Sequence, residues 1–524
     1  KIFCLIFGTQ IFYMPLHLRY FKNSIVLLFI LIASFTKSYA QPSFIKDSLE
    51  TYIQQGMKDW QVPGLSIVIV KDGKVVTMKG FGVRDINSTD SVDANTLFMI
   101  ASNTKLFTGT ALAQLEYRNK LSLNDKITKY FANFSLYDSI STQIVTIKDM
   151  LTHRLGTKTF QGDFTFFNGN ISRNNVMYKM RYLKPGGVFR QDYGYCNSCF
   201  LTAGEIIQEV TKQPWEVYIY DSIVKPLGMT QTLTLGKGIA HIKNSAKAYT
   251  TTFTGKLNEV PYDNWDNLAP AASMVSNVND LSHWLLMQLN NGKYNNQQII
   301  PEAAILKTRD MAISTNSRKS SIIPMNFRGY GLGIFTGDYN GKQIYWHTGG
   351  ASGMVSNICF VPEQNLGIAI LTNNDNQSFF ETLRYQILDA YLDVPYTNRS
   401  KQQLGNFLQA EKKSVAEIDA LKARLKNNTP ALPLSNYVGE YKHELYGKII
   451  VEQKQNFLTI NFKGHDNLTA TVKYLNNNDW IIEYNNILYG IFPIQFELDK
   501  NKVKGVTIKM NSFIELDDYK FTKQ

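Results

Sequence analysis

The sequence predicts a mixed α/β protein whose sheet is assembled from distant parts of the chain, followed by a separate all-β domain. Three observations support this fold class. Alternating, strand-like segments occur near the start of the chain and return after residue 330, and mainly helical patterns fill residues 95–320 between them. After Pro433 the chain continues as short alternating strands to its end, which is typical of a small barrel-like all-β domain.

The first 40 residues carry the pattern of a targeting segment. Arg19 and Lys22 supply a positive region, the apolar run SIVLLFILIASF follows, and Ser38-Tyr39-Ala40 has the small residues of a cleavage site. We expect a signal peptide that is cleaved before Gln41, so that the protein is periplasmic or secreted. An uncleaved membrane anchor is the alternative. No later segment is long and apolar enough to predict a membrane span.

Length and composition limit the classes of function. A chain of 524 residues is expected to form two or three domains, and a hydrophobic fraction of 44% indicates a globular protein. The net charge of +12 comes mostly from dispersed lysines without a nucleic-acid motif, so nucleic acid is not an expected partner. The predicted divisions are a leader at residues 1–40, a first domain at 41–398, a charged helical linker at 399–433 and an all-β domain at 434–524.

The first domain is expected to open with a helix and a hairpin. Pro42 to Trp60 has a helical pattern, and Pro63 to Gly82 is typical of two alternating strands joined by a turn at Asp72-Gly73. Strands at both ends, with helices between them, predict a single sheet. The later predicted elements are the strands YGLGIF from Tyr330, KQIYWH from Lys342, SNICFVP from Ser356 and LGIAILT from Leu366, and a closing helix from about Asn376 to Leu392.

Three cysteines remain after the predicted leader: Cys196, Cys199 and Cys359. An odd number cannot all pair internally. Cys196 and Cys199 form a CxxC, which is compatible with a redox site or half a zinc site, but no second Cys/His pair accompanies it. We therefore expect buried apolar packing residues, and no metal or other cofactor.

The segment FMIASNTKLFTGTALAQL presents a serine and a lysine where a helix begins. Ser102 lies near the predicted helix N-terminus, and Lys105 lies one turn further on the same face. A serine hydroxyl becomes a nucleophile when a neighbouring base takes its proton, and a desolvated lysine can do so. The alternative is a serine cap followed by a solvated lysine.

Two later segments favour the catalytic interpretation. Tyr195-Cys196-Asn197 precedes an apolar helix, and His347-Thr348-Gly349 ends a strand. With Ser102 and Lys105, these form the SxxK, YxN and K/H-[ST]-G motifs in order. The chain thus resembles the serine β-lactamase and penicillin-binding-protein superfamily, specifically its class C-like branch of carboxypeptidases, D-aminopeptidases and esterases. The flanking stretches, such as DMLTHRLGT from Asp149, extend the resemblance over about residues 45–395.

The resemblance implies a fold and a set of roles. The fold is an antiparallel sheet flanked by helices, with a helical subdomain and the site in the cleft between them. Ser102 is implied as the nucleophile of an acyl-enzyme, Lys105 as its proton partner, and Tyr195 as a general base whose pKa must fall for it to act as a phenolate. Asn197 is implied to orient the substrate, and the backbone N–H groups of Ser102 and Gly350 to form the oxyanion hole.

The His-Thr-Gly strand is implied to bind the substrate through His347, Thr348 and the glycines Gly349 and Gly350. His347 stands where class C β-lactamases usually have lysine. An imidazole that titrates near its ordinary pKa is largely neutral at pH 7 and holds a carboxylate less firmly than an ammonium, which favours peptidase or esterase chemistry over β-lactam resistance.

The predicted protein is an exported serine hydrolase that acts without a cofactor on a small amide or ester, and cell-wall-derived peptides are one candidate class of substrate. The alternative is a non-catalytic penicillin-binding-type sensor whose all-β domain does the work. Because the three motifs precede the linker, a chain ending near Asn398 is expected to fold and to hydrolyse a small ester.

Overall fold

The computed structural model describes residues 41–426 and 428–524, so the signal peptide predicted within residues 1–40 lies outside the described residues. The chain divides into two compact units, and the first of them ends at Leu49. In the described part of the first unit, Phe44–Ser48 form a π-helical turn. The second unit, residues 50–524, holds the sheet, the helices and the barrel discussed below.

The main sheet has eight antiparallel strands in the order β2-β1-β8-β7-β6-β5-β4-β3. The hairpin near the start of the chain joins strands from its far end, because β1 pairs with β8. This confirms a sheet assembled from distant segments. The strand bounds are β1 Gly64–Lys71, β2 Lys74–Gly82, β3 Ile313–Asn316, β4 Arg328–Tyr330, β5 Phe335–Tyr339, β6 Lys342–Ala351, β7 Met354–Val361 and β8 Leu366–Thr372.

Thirteen α-helices occur in the described ranges, and they confirm the mixed α/β class. Two of them, α10 and α12, pack against the central strands β7 and β8. Helices α2, α7 and α9 pack together beside the sheet and carry or adjoin the motif residues. The helix bounds are α1 Leu49–Asp59, α2 Thr104–Tyr117, α3 Ser139–Ile144, α4 Ile147–Leu151, α5 Asp163–Phe166, α6 Arg173–Lys179, α7 Asn197–Thr211, α8 Trp215–Ile219, α9 Ala269–Ala272, α10 Val278–Leu289, α11 Glu302–Arg309, α12 Phe379–Tyr391 and α13 Arg399–Ala423.

The predicted strand YGLGIF is wrong. β4 ends at Tyr330 and β5 begins at Phe335, with a tight turn between them in which the Gly331 N–H donates to the Ile334 carbonyl at 2.8 Å. Gly333 has a φ of 84°, which a glycine adopts without strain. The alternation of apolar residues and glycines in this segment therefore corresponds to a hairpin turn rather than to a strand. The pairing of β5 with β6 ends at Phe335, the first residue after the turn.

A charged helix of 25 residues, α13, follows the sheet. The Asn398 side chain caps its N-terminus by accepting from the Lys401 N–H. Arg399 forms a buried ion pair with Asp389 at 2.6 Å, which fastens the helix to α12.

The C-terminal part is a closed barrel of eight antiparallel strands, which confirms the predicted all-β domain. Closure depends on pairing of the first and last strands, with Tyr441 opposite Lys523. Alternate side chains of each strand fill the interior, as the period-two pattern predicts. The strand bounds are β9 Gly439–His443, β10 Gly447–Lys454, β11 Phe457–Phe462, β12 Thr469–Asn476, β13 Asp479–Tyr484, β14 Ile491–Asp499, β15 Lys502–Ile508 and β16 Tyr519–Lys523.

Two expectations about the chain as a whole can be compared with the structure. Cys196, Cys199 and Cys359 are free and buried, as expected for apolar packing residues. Among residues 41–426 and 428–524, no helix is long and apolar enough to cross a membrane.

Candidate active site

Ser102 lies in a tight turn that leads into α2. Ala101–Asn103 form a short 3-10 helix, and Ala101 has a φ of 46°, a left-handed conformation that L side chains rarely adopt. The turn is tied to β7, because the Asn103 amide donates to Ser356 Oγ at 2.7 Å and that hydroxyl donates to the Ile100 carbonyl at 2.7 Å. These bonds hold the half-buried Ser102 at the mouth of the helix.

The Lys105 ammonium group is buried below Ser102. Its Nζ lies 3.2 Å from Ser102 Oγ, 2.7 Å from Asn197 Oδ1 and 2.9 Å from the Ala271 carbonyl oxygen. The last two atoms can only accept. A neutral amine has two N–H donors and one lone pair, so the two acceptors take both donors and leave the lone pair for the Ser102 O–H.

Burial decides the charge of this lysine. It lowers the pKa of Lys105 from 10.5 to about 7, and the nearby Asp163 carboxyl acts in the opposite direction. The full burial of the side chain removes the solvation that an ammonium needs. About half of the molecules therefore hold a neutral Lys105 at pH 7.

Tyr195 lies beside both residues. The Lys105 Nζ is 4.7 Å from the centre of its ring, and its hydroxyl forms a hydrogen bond with Ser102. Burial raises the pKa of Tyr195 above its ordinary value, which the Ser102 hydrogen bond only partly offsets. The direction is opposite to the one a phenolate base requires, so the hydroxyl is protonated at neutral pH.

Asn197 connects Lys105 to a carboxyl group that the sequence motifs do not include. Its amide Nδ2 donates to Asp163 Oδ2 at 2.6 Å, which fixes the orientation of the amide and turns Oδ1 toward Lys105. Asp163 is buried, and desolvation together with Glu515 raises its pKa well above the ordinary range. Asp163 thus orients Asn197 and, through it, the lysine.

His347 is buried and is fixed as one neutral tautomer. The Thr348 carbonyl oxygen lies 2.8 Å from Nδ1 and can only accept, so Nδ1 carries the proton. Nε2 then accepts from the Tyr330 hydroxyl at 2.9 Å. Burial lowers the pKa of His347 to about 3. The expectation that this imidazole titrates near 6.5 is therefore wrong, because neither ring nitrogen faces water.

The strand that carries His347 offers an unpaired edge. β5 pairs with β6 only as far as Trp346, and within the described part of the chain no other strand pairs with β6 on that side beyond it. The backbone from Thr348 to Gly350 can therefore bond a substrate. Position 349 requires glycine because a Cβ there would lie 2.0 Å from the Ile100 carbonyl oxygen. Packing within the protein, rather than the approach of a substrate, therefore explains this glycine.

A cavity of about 470 Å³ opens over these groups, and its lining is mainly aromatic and aliphatic. It brings together the motif residues Ser102, Tyr195, Asn197, His347, Thr348 and Gly350. Lys105 lies beneath the cavity rather than on its surface, and Gly349 packs behind its wall. Carboxyl groups from Asp163 and Asp375 reach the lining, whereas none of the described lining residues is a lysine or an arginine.

Sequence reasoning missed several residues of the site. Asp163 orients Asn197, and a lone carboxylate within the apolar run FQGDFTFF was an available signal for it. His153 accepts from the Cys196 N–H at 3.0 Å, and its ring centre lies 4.3 Å from that of Tyr195. Phe513 and Ile514 of the barrel also line the cavity. The barrel therefore contributes to the wall of the cavity, which no local sequence pattern indicated, and hydrolysis of a small ester by a chain ending near Asn398 stays a prediction.

The fold and the site define a class of protein. A serine next to a buried lysine, at the cleft between an antiparallel sheet and a helical subdomain, is the arrangement of the β-lactamase and penicillin-binding-protein superfamily. Residues 49–392 match the family described as Beta-lactamase, and the chain belongs to that family. Residues 423–523 match a domain of unknown function, DUF3471.

Individual relatives agree with this assignment. Protein flp of Staphylococcus aureus (strain NCTC 8325 / PS 47) is 30% identical over 357 residues, which cover 66% of this chain and 67% of that protein. Unguisins hydrolase ungD of Aspergillus violaceofuscus is 26% identical over 434 residues, covering 76% of this chain and 75% of the relative. The solved octameric penicillin-binding protein homologue from Pyrococcus abyssi superposes with a TM-score of 0.58 at 22% identity, covering 91% of this chain and 99% of that one.

Proposed function

We propose that the protein is an exported serine hydrolase that forms an acyl-enzyme on Ser102 with small amide or ester substrates. One observation carries the proposal: the buried Lys105 Nζ lies 3.2 Å from Ser102 Oγ and within hydrogen-bond distance of the acceptors of Asn197 and Ala271, so that a neutral amine bonded to both acceptors has its lone pair left for the Ser102 hydroxyl. Membership of a family of serine hydrolases supports the same chemistry. The leader pattern in residues 1–40 supports export.

The proposed reaction begins with proton transfer from Ser102 to neutral Lys105. Oγ attacks the substrate carbonyl carbon, and the carbonyl electron pair moves to its oxygen, which accepts from the backbone N–H groups of Ser102 and Gly350. When the tetrahedral intermediate collapses, the bond to the leaving group breaks and that group takes a proton from the Lys105 ammonium or the Tyr195 hydroxyl. Water then attacks the ester on Ser102 by the same steps.

This scheme assigns the base to Lys105 rather than to Tyr195. Burial lowers the pKa of the lysine to about 7 but raises that of the tyrosine, so only the lysine is deprotonated to a useful extent near neutrality. A protonated Tyr195 is suited to donate to the leaving group, with His153 packed on its ring to hold it.

The charge of the cavity supports a narrower class of substrate. Asp375, whose pKa burial raises only to about 6, lines it, His347 is neutral, and no described lining residue is a lysine or an arginine. Lys105 lies beneath the cavity and contacts Ser102, so a substrate carboxylate finds no cationic partner among the lining residues, which argues against β-lactams and peptides with a free C-terminus. We propose esters and amides with an uncharged or ammonium-bearing acyl group, such as D-amino-acid amides.

Turnover of a matched panel tests the proposal. The purified protein is given p-nitrophenyl acetate, a D-amino-acid p-nitroanilide and a fluorescent penicillin, with Ser102→Ala as the matched control. We expect turnover of the first two, slow or absent turnover of the penicillin, and none with the variant. Covalent labelling by penicillin at one equivalent, without turnover of any substrate, would instead support the sensor alternative. Fractionation of cells that express the full-length gene tests export.

A further inference from the structure

The longest connection in the barrel reaches the active site. β15 ends at Ile508 and β16 begins at Tyr519, and we name the residues between them, 509–518, the barrel loop. Phe513 and Ile514 in this loop line the same cavity as Ser102. The catalytic motifs end more than 150 residues earlier in the chain, so the C-terminal domain contributes one wall of a site whose chemistry lies elsewhere.

Phe513 lies against the proposed oxyanion hole. A Cβ added to Gly350 would be 2.9 Å from the Phe513 ring, so the aromatic ring lies directly against the backbone of that glycine. The Phe513 side chain remains 37% exposed. An exposed ring at the rim of an apolar cavity is available to contact the acyl group of a substrate.

Glu515, two residues further, is buried and anchors the other side of the cavity. Its carboxylate accepts from the Gly162 N–H at 2.8 Å, from the Phe164 N–H at 3.3 Å and from the Tyr519 hydroxyl at 3.0 Å. These bonds hold the first turn of α5, which carries Asp163. That residue orients Asn197, and Asn197 in turn accepts from Lys105.

The barrel also holds the far end of the same segment. His465 Nε2 donates to the Phe167 carbonyl at 3.0 Å, because a carbonyl can only accept, and Gly169 forms a β-bridge with His465. The segment from Gly162 to Gly169 is therefore fastened to the barrel at both ends. No comparable set of bonds from the hydrolase part, within the described residues, reaches the Gly162 and Phe164 N–H groups.

We propose that the barrel loop is a working part of the active site: Phe513 and Ile514 limit the size of the acyl group, and Glu515 positions Asn197 and Lys105 through α5. This inference rests on the proposed function and gives the C-terminal domain a role in substrate selection. Glu515 is a positioning residue, since it contacts neither the substrate nor the reacting atoms.

The size limit is tested with Phe513→Ala. The kcat/KM for p-nitrophenyl phenylacetate is divided by that for p-nitrophenyl acetate, and we expect the ratio to rise about tenfold over the wild type, because the removed ring frees space for the bulky acyl group. Leu516→Ala is the matched control, because this leucine lies in the same loop but is 56% exposed. Its ratio should equal that of the wild type.

Two outcomes separate this inference from the proposed function. A wild-type enzyme that hydrolyses the acetate while Phe513→Ala leaves the ratio within about twofold overturns the size limit and leaves the hydrolase assignment intact. A wild-type protein that hydrolyses neither ester overturns the proposed function, and the size limit with it.

The positioning role is tested by Glu515→Ala and Glu515→Gln. Active sites are first counted by labelling with a fluorophosphonate, so that misfolded protein does not lower the result. Per labelled site we expect kcat for the acetate to fall about tenfold in the alanine variant, with KM within about threefold, and the glutamine variant to recover most of it, because its amide oxygen still accepts the two N–H groups. An unchanged kcat per labelled site in Glu515→Ala overturns the positioning role.

Discussion

Lowering the pH should remove activity through a single group, Lys105. Burial holds the pKa of this lysine at about 7, and only its neutral form can take the Ser102 proton. The neutral fraction of Lys105 rises with pH, so kcat/KM should rise between about pH 6 and pH 8 and level off at higher pH. Relative to the plateau, the neutral fraction predicts about one half at pH 7, about one eleventh at pH 6 and about one hundredth at pH 5.

Other buried groups titrate in or near this range and must be separated from the lysine. Burial raises the pKa of Glu515 to about 8 and that of Asp375 to about 6, whereas the pKa values of His347 and His153 are lowered, so both imidazoles stay neutral through the range. Repeating the profile with Glu515→Gln and with Asp375→Asn removes one of these carboxyl groups at a time. In both variants, kcat/KM should still rise with pH around pH 7, and this rise is called the limb of the profile below.

The assay is kcat/KM for p-nitrophenyl acetate between about pH 5 and pH 10, with the spontaneous rate subtracted at each pH. Each sample is afterwards returned to about pH 8 and assayed again, so that irreversible unfolding is not mistaken for titration. Asp163→Asn is the second perturbation: burial raises the pKa of Asp163 itself, but its ionised form raises the pKa of Lys105, so removing the carboxyl should move the limb to lower pH. A limb above about pH 9, or one abolished by Glu515→Gln, would refute Lys105 as the base.

Three further outcomes are expected. Ser102→Ala should eliminate turnover while leaving the melting temperature nearly unchanged, because Ser102 is half-buried and supplies the attacking oxygen; residual turnover above about one part in ten would contradict it. Gly349→Ala should cost about 2 kcal/mol or more of unfolding free energy in a denaturant titration, because its Cβ would lie 2.0 Å from the Ile100 carbonyl; an unchanged midpoint would contradict it. Since His347 is neutral, with a pKa of about 3, the preference for a carboxylate-bearing substrate over a neutral ester should stay flat from about pH 5.5 to pH 8 in Asp375→Asn, which lacks the lining carboxyl with a pKa of about 6; a fall across that range in this variant would restore a titrating imidazole.

Local patterns in the sequence predicted much of the fold and the central residues of the site. Ser102 and Lys105 lie one helical turn apart, so their proximity follows from helix geometry alone. Alternation located the strands of the sheet and the barrel, since each strand has one buried face. The pattern failed at YGLGIF, where glycines permit a turn that alternation alone cannot distinguish from a strand.

The rest depends on contacts between distant parts of the chain. The contact of Glu515 with Gly162 joins residues 353 positions apart, and no local periodicity encodes such a pair. Burial likewise sets the pKa of Lys105 and the tautomer of His347, and burial is a property of the packed molecule. Tyr195 is the clearest example: its motif predicted a base, whereas the desolvation that surrounds it keeps its proton in place.

The closed barrel ties the evolution of substrate choice to a part of the chain that performs no chemistry. Residues 509–518 connect two adjacent strands and take no part in the pairing that closes the barrel. Changes at the exposed position Phe513 leave every strand pair in register, whereas Ile514 and Glu515 in the same connection are buried and are restricted by packing and hydrogen bonding. The part of this connection that is free to vary is therefore its exposed tip, and a chimera that transplants the tip while keeping Glu515 is a route to redesign the pocket.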